Sequence, residues 1–474
     1  MNNKNKAIKT KKFSKVEEKN GLFDSHDLTK GSILRALLFA SIPIIFANTL
    51  QVSFQLVDRF WVGQLGTNAV AAITISFPIL FVVNALIMGI SIAGTILVGQ
   101  YKGQKNQQMI DFIASQSMSL VVILSIVLGL IGFLSSELIL SFFTSDPEVF
   151  NLAVSYLRIT FLGTLFIFIY FEYQALLRGV GNVLIPMIVI LGAAILNFFI
   201  DPLFIMGYAS NGIQLIPKMG VAGSAWATIL CQGLAGLVGL IILIRGKSGI
   251  HLNFKYLTPK IQTVKRIFTL GTPSAIEFLS RSLSGLLVTF IVSSFGTIIT
   301  AAFGTGQFIF NLVLLPALGL SIGTSTIVSQ CVGAKKIQKL KETIRVSSII
   351  SFATLTIVGL LSIMFSTQIS QIFLPNSPEA ILETANYINI IALAFGFLGI
   401  QTIIIGAIRG TGATKTAMLL SLIYLTSTII FTWIMPLFMQ HQGIWWAQNT
   451  SIIITLIIGL IIIKRFNWEK ERAI

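Results

Sequence analysis

The sequence predicts an all-α integral membrane protein: twelve transmembrane helices in two six-helix bundles, related by a pseudo-twofold axis around a central cleft. Three observations predict it. The composition is too apolar for water, the positive charge is one-sided, and the chain repeats itself. Of 474 residues, 54% are hydrophobic and 11% are charged, with mean hydropathy +0.87. A soluble domain is about a quarter charged, so this chain cannot coat a water-facing surface of its size. Disorder needs the opposite balance. The two cysteines, Cys231 and Cys331, lie in or beside apolar runs and give no disulfide framework. The three histidines, His26, His251 and His441, fall in separate polar segments, and no His/Cys/carboxylate cluster has metal-ligand spacing.

A membrane-crossing helix needs about 20 mostly apolar residues. Twelve such spans read off the chain, at roughly 36–62, 70–98, 113–140, 150–177, 184–206, 219–244, 266–294, 299–330, 343–366, 383–408, 416–438 and 443–463. The net charge of +16 would suggest nucleic acid in a soluble protein. Here the positive-inside rule accounts for it. With twelve spans, 29 of the 33 Lys and Arg residues fall on one side, Lys218 alone falls on the other, and Arg59, Arg158 and Arg281 lie within spans. Missing one span mid-chain would destroy that asymmetry. Both termini are therefore expected in the cytoplasm, in a multi-pass protein of the plasma (inner) membrane. The Lys-rich start lacks an apolar segment and reads as a cytosolic tail rather than a signal peptide. The expected organisation is a basic tail (1–32), an N-terminal bundle (33–245), a cytoplasmic linker (246–264), a C-terminal bundle (265–464) and a second tail (465–474). The linker reads as a tether obeying charge topology, with Lys255 and Lys260 in reach of anionic headgroups as the other reading.

The third observation is the repeat. GISIAGTILVGQYKGQK (89–105) matches GLSIGTSTIVSQCVGAK (319–335) without gaps at an offset of 230, with seven of 17 positions identical. The same offset pairs Pro43 with Pro273 and Gly66 with Gly296, and LLRGVG (176–181) pairs with AIRGTG (407–412) at 231. Each half then holds six spans. Six is even, so both halves enter the membrane from the same side and are parallel repeats. Transporters bind their passengers at such repeat interfaces.

These residues also carry a family resemblance. PIIFANTLQVSFQLVDRFWVGQLGTNAVAA (43–72) resembles the first-helix signature of the MATE family, the multidrug and toxic compound extrusion transporters. LLRGVGN (176–182) and AIRGTGA (407–413) match its repeated R-G-x-G element, ILNFFIDPLF (195–204) its N-x-x-x-D-P stretch, and GVAGSAWAT (220–228) its sixth-helix opening. The resemblance covers about residues 30–465. It implies two six-helix bundles and export of organic cations driven by inward proton or sodium flow.

Ionisable groups inside spans are costly and default to functional hypotheses. Asp58, on the first span, lies roughly 33 Å above its cytoplasmic start, and Asp201, on the fifth, roughly 25 Å above its own. Asn197 shares a helix face with Asp201. Thr228, on the descending sixth span, lies roughly 12 Å below its outer end. All four can converge in the outer half of the N-terminal bundle. Two carboxylates in low dielectric resist double ionisation, and such an oxygen set also suits a hard cation such as sodium. Pro202 is expected to break the helix there and free a carbonyl. The resemblance implies that Asp58, Asn197, Asp201 and Thr228 form the cation site of the N-terminal lobe. The bland alternative is an interfacial pair of Asp58 with Arg59.

Gln51 reads either as a group that hydrogen-bonds a passenger or as a helix–helix contact. Glu172 and Gln174 lie near Arg178, where Glu172 either captures a cationic passenger or locks helices together. Glu277 and Arg281 are four apart on the seventh span and read either as groups of the passenger cavity or as a structural ion pair, the favoured reading. Some MATE proteins place acidic sodium ligands in their seventh and tenth helices. Here the tenth span has no acid beyond Glu383 at its outer end, so no sodium site is expected in the C-terminal lobe.

The expected function is secondary active antiport, exporting cationic or amphipathic compounds in exchange for H+ or Na+. The partners are small-molecule passengers and membrane lipids, with no nucleic acid, no cofactor beyond the coupling ion, and a monomer as the working unit. A lipid or lipid-linked oligosaccharide flippase is the alternative. It should line its cleft with several cations, and the chain offers mainly Arg281 and Arg158. No catalytic motif points to an enzyme, and GTGATKT (410–416) lacks P-loop spacing.

Overall fold

The structure is a computed structural model that describes residues 26–210, 213–375 and 377–468. Most of the two expected tails, 1–25 and 469–474, lies outside the described residues. Ten helices cross as single rods: Ile33–Gly63, Thr67–Gly103, Gln107–Leu140, Leu184–Met206, Val221–Arg245, Ile261–Ser293, Thr297–Gly333, Ile337–Met364, Thr414–Met439 and Gln442–Arg465. The fourth and tenth spans are bent pairs, Pro147–Leu162 with Thr164–Gly179 at 52° and Pro378–Ala392 with Phe395–Thr411 at 54°. With each bent pair counted once, the described residues hold the twelve spans expected, in two lobes of six.

Local chemistry sets these elements. Asp146 accepts from the backbone N–H of Glu148 (2.8 Å) and Val149 (3.2 Å) and so caps the fourth span, with Pro147 at its first position. Asn106 caps the third by accepting from Met109 N–H at 3.2 Å. The third span shows the membrane logic. Leu130, Ile131, Leu134 and Leu138 form an exposed stripe, while Gly129, Gly132 and Ser136 are buried on the opposite face. An exposed leucine stripe belongs in lipid, and small residues let helices approach closely.

Three details depart from expectation. The fourth and tenth spans read as unbroken rods but bend, at pseudo-equivalent places. The helix runs on through Pro202 to Met206 instead of breaking, because a proline late in a helix removes one hydrogen bond without displacing the neighbours that hold the rod. The segment after it forms an antiparallel hairpin, β1 (Tyr208–Ser210) with β2 (Ile213–Ile216).

The lobes meet along the duplicated helices. The second span packs on the seventh, and the first and second pack on the eighth. The crossing is reciprocal. A Cβ on Gly103 would strike the carbonyl of Gln330, and a Cβ on Gly333 would strike the carbonyl of Gln100, the same contact in each half. Gly89 meets Gly271, and Gly319 and Gly323 meet Ile45 and Ser41. These approaches all lie in the halves of the helices nearer the termini, so the lobes are closed on that side. Gln100 Nε2 donates to Thr411 O (2.8 Å) and Gln330 Nε2 to Gly179 O (3.1 Å), each glutamine reaching the R-G-x-G end of the opposite lobe. The segment before the first span adds to the closure. Leu28 N–H donates to Gln330 Oε1 (3.0 Å), and Lys336 Nζ donates to Thr29 O (2.9 Å).

The linker between the lobes is fixed rather than loose. Asn253 N–H donates to Ser115 Oγ (3.1 Å), Ser119 Oγ to Leu257 O (2.6 Å) and Gln116 Nε2 to Thr258 O (2.7 Å), all on the third span.

Candidate ion and passenger sites

In the N-terminal lobe, the first, fifth and sixth spans bring four of the predicted residues together far from the termini. Thr228 Oγ1 donates to Asp58 Oδ2 at 3.1 Å. Asn197 Nδ2 donates to Asp201 Oδ1 at 2.9 Å, across the one-turn spacing that puts both on one helix face. Asp58 and Asp201 lie within hydrogen-bonding reach of each other. Asn197 and Asp201 are fully buried, and Asn197 Oδ1 and Asp201 Oδ2 have no protein partner. Arg59 is exposed, and among the described residues no ion pair joins it to Asp58.

This arrangement has a definite chemistry. Two adjacent carboxylates in a low-dielectric interior cannot both carry charge without compensation. One proton between them, or one cation among the acid, amide and hydroxyl oxygens, removes the conflict. Two side chains the sequence reading missed stand beside the pair. Ser224, one turn before Thr228, faces Asp58, and Tyr156 of the fourth span is close to both acids. The four-residue spacing of Ser224 and Thr228 was the available signal. Tyr156 gave none.

The remaining candidates go elsewhere. Gln51 Oε1 accepts from Tyr170 Oη at 2.9 Å, and Gln174 Nε2 donates to Tyr170 O at 2.9 Å. Glu172 is fully buried, accepting from Ser91 Oγ (2.7 Å) and Ser117 Oγ (2.6 Å), so it ties the second, third and fourth spans. Glu277 does not pair with Arg281. Its carboxylate meets Arg409 Nη1 at 2.9 Å, with both side chains buried. The four-residue spacing allowed the intrahelical pair, but a guanidinium from the tenth span takes the carboxylate. Among the described residues Arg281 has no ion pair or hydrogen bond. It lines a cavity between the seventh, eighth, tenth, eleventh and twelfth spans, and Glu277 is not part of that lining.

A duplicated pair of six-span bundles, with a buried acid site inside one of them, defines the class of integral membrane transporters built from repeats. The MatE family profile matches residues 43–203 and again 273–434, two copies in register with the internal repeat. The chain belongs to the MatE family, as its motifs suggested. It is similar to the probable multidrug resistance protein YpnP of Bacillus subtilis, with 27% identity over 94% of this chain and 98% of that one. It is equally similar, at 27%, to the probable multidrug resistance protein NorM of Thermotoga maritima, over 93% and 94% of the two chains. The fold superposes on the outward-facing structure of a multidrug resistance MATE family transporter with TM-score 0.86 at 21% identity, over 92% of this chain and 96% of that one.

Proposed function

We propose that this chain is a secondary antiporter of the plasma membrane with cytoplasmic termini. It exports organic cationic or amphipathic compounds in exchange for H+ or Na+ by alternating access. The observation that carries the reading is the pair of acids in the N-terminal lobe, with two buried acceptor oxygens, Asn197 Oδ1 and Asp201 Oδ2, left without partners. Buried acceptors demand a donor or a cation, and in a lobe that opens to one side at a time the demand can be met from that side. The names of the relatives support multidrug compounds as passengers. Binding of the ion and of the passenger then compete for the open form, which is all that antiport requires.

The test is dye efflux from proteoliposomes under a proton gradient and, separately, a sodium gradient. Asp58→Asn and Asp201→Asn should each lower gradient-driven efflux to the level of protein-free vesicles, with the protein still inserted. Full efflux from either variant would remove the site from the mechanism.

A further inference from the structure

The internal repeat maps the acid site of the N-terminal lobe onto a second place in the molecule. At offset 230, Asp58 corresponds to Val288 and Gln51 to Arg281. At offset 231, which holds from the R-G-x-G element along the uninterrupted eleventh span, Asn197 corresponds to Thr428 and Asp201 to Thr432. Val288, Arg281, Thr428 and Thr432 all line the cavity described above. The repeat therefore differs in charge at equivalent places: the acids are gone from the C-terminal lobe, and a guanidinium stands where the N-terminal lobe has an amide.

Among the described residues that guanidinium has no ion pair or hydrogen bond of its own. The interior of the C-terminal lobe places Glu277, Arg281 and Arg409 close enough to interact, two cations to one acid, and the acid is bound to Arg409 at 2.9 Å. The cavity also holds stranded polar atoms. Ser421 Oγ and Thr432 Oγ1 are buried without partners, on residues 5% and 1% exposed. An arginine within a membrane span that makes no direct ion pair or hydrogen bond offers its fork to an anion. The cavity offers about 80 Å³ to the centre of a water-sized sphere. One water needs roughly 10–15 Å³ on that measure, so there is room for an acidic end group.

We infer that the cavity around Arg281 is a subsite for the carboxylate of a passenger, with the hydroxyls of Ser421 and Thr432 as further donors. This deepens the export reading and rests on it: the passengers favoured are amphoteric molecules, with an acidic group as well as a basic one.

The test uses a matched pair, a rhodamine dye with a free carboxylate and its ethyl ester. Equilibrium binding to the purified full-length protein is measured in nanodiscs of phosphatidylcholine. The readout is the ratio of acid to ester affinity. Arg281→Gln should lower that ratio about tenfold or more, the worth of one charge-assisted hydrogen bond, with ester binding retained. Arg281→Lys should fall between, since it keeps the charge and loses the planar fork. Thr432→Asp should lower the ratio as well, by supplying the missing acid. An unchanged ratio in Arg281→Gln overturns the inference. If that variant binds neither dye, the wild type decides: benzoate must displace the acid dye and leave the ester bound, or the inference falls. Loss of the wild-type ratio when phosphatidylglycerol is added would give the site to a lipid headgroup and also overturn it. The assay has no ion gradient, so its failure leaves the antiport reading intact. Gradient-driven efflux by Asp58→Asn would sink the antiport reading without touching the ratio.

Discussion

A charged side chain inside a membrane span is legible in a sequence, but its partner is legible only when it lies on the same helix. Asp58 and Asp201 stood out because an acid in an apolar run needs a reason, and Asn197 came with Asp201 through one turn of helix. Glu277 stood out for the same reason and was matched with the wrong arginine. The partner, Arg409, lies 132 residues away on another span, where no spacing rule reaches. Ser224 stayed hidden because most serines in membrane helices bond their own backbone and raise no alarm, whereas this one makes no such bond and faces Asp58. Both side chains of the Glu277–Arg409 bridge are buried, so removing one charge strands the other. Glu277→Gln should destabilise the protein by about 3 kcal/mol, seen as a lower melting temperature in detergent. Glu277→Gln combined with Arg409→Gln should recover part of the loss, since the double variant buries no lone charge. A double variant less stable than the single would show that packing, not charge, holds the bridge in place.

Elements are set by how closely helices approach, and this is where the sequence said least. Twelve apolar runs gave the number and order of the spans, because the thickness of the bilayer fixes their length. The two bends were not legible. Each leaves both arms helical and apolar, and neither sits at a proline. The fourth span bends at Gly163, where a Cβ would strike the side chain of Ile229 on the sixth span. A glycine in a membrane helix reads the same whether it serves a bend, a close crossing or neither. The contact to Ile229 turns it into a prediction. Gly163→Leu should destabilise the protein by about 1–3 kcal/mol, the usual range for overpacking. Adding Ile229→Ala should return most of it, because the space the new side chain needs is then present. A thermal-unfolding cycle over the four proteins measures this coupling, and additive effects would place the strain elsewhere.

Over the whole molecule the repeat does more than duplicate a bundle. It puts identical residues at the one place where the lobes must separate. Gln100 and Gln330 are the same position in the two halves, and each donates to a backbone carbonyl of the opposite lobe, Thr411 O and Gly179 O. Gly103 and Gly333 lie one turn on and let the helix backbones touch. Such contacts hold only while the lobes are closed on the side of the termini, and every one of them must break for that side to open. A two-state rocking motion therefore has its closed state stabilised by a symmetric pair of hydrogen bonds, each worth about 1 kcal/mol net. Removing both with Gln100→Ala and Gln330→Ala should shift the equilibrium toward the form open at the termini by roughly tenfold or more. Lys105 and Lys335 are exposed, equivalent and on opposite lobes at this crossing, so spin labels on cysteines at these two positions report the separation directly. The distance distribution of the double-alanine protein should gain a longer component that the parent lacks, and each single alanine should give part of the shift in free energy, Gln330→Ala also losing the bond from Leu28 N–H. If the distribution stays at the closed distance in all four proteins, the crossing is held by helix packing alone, and the glutamines are not the latch.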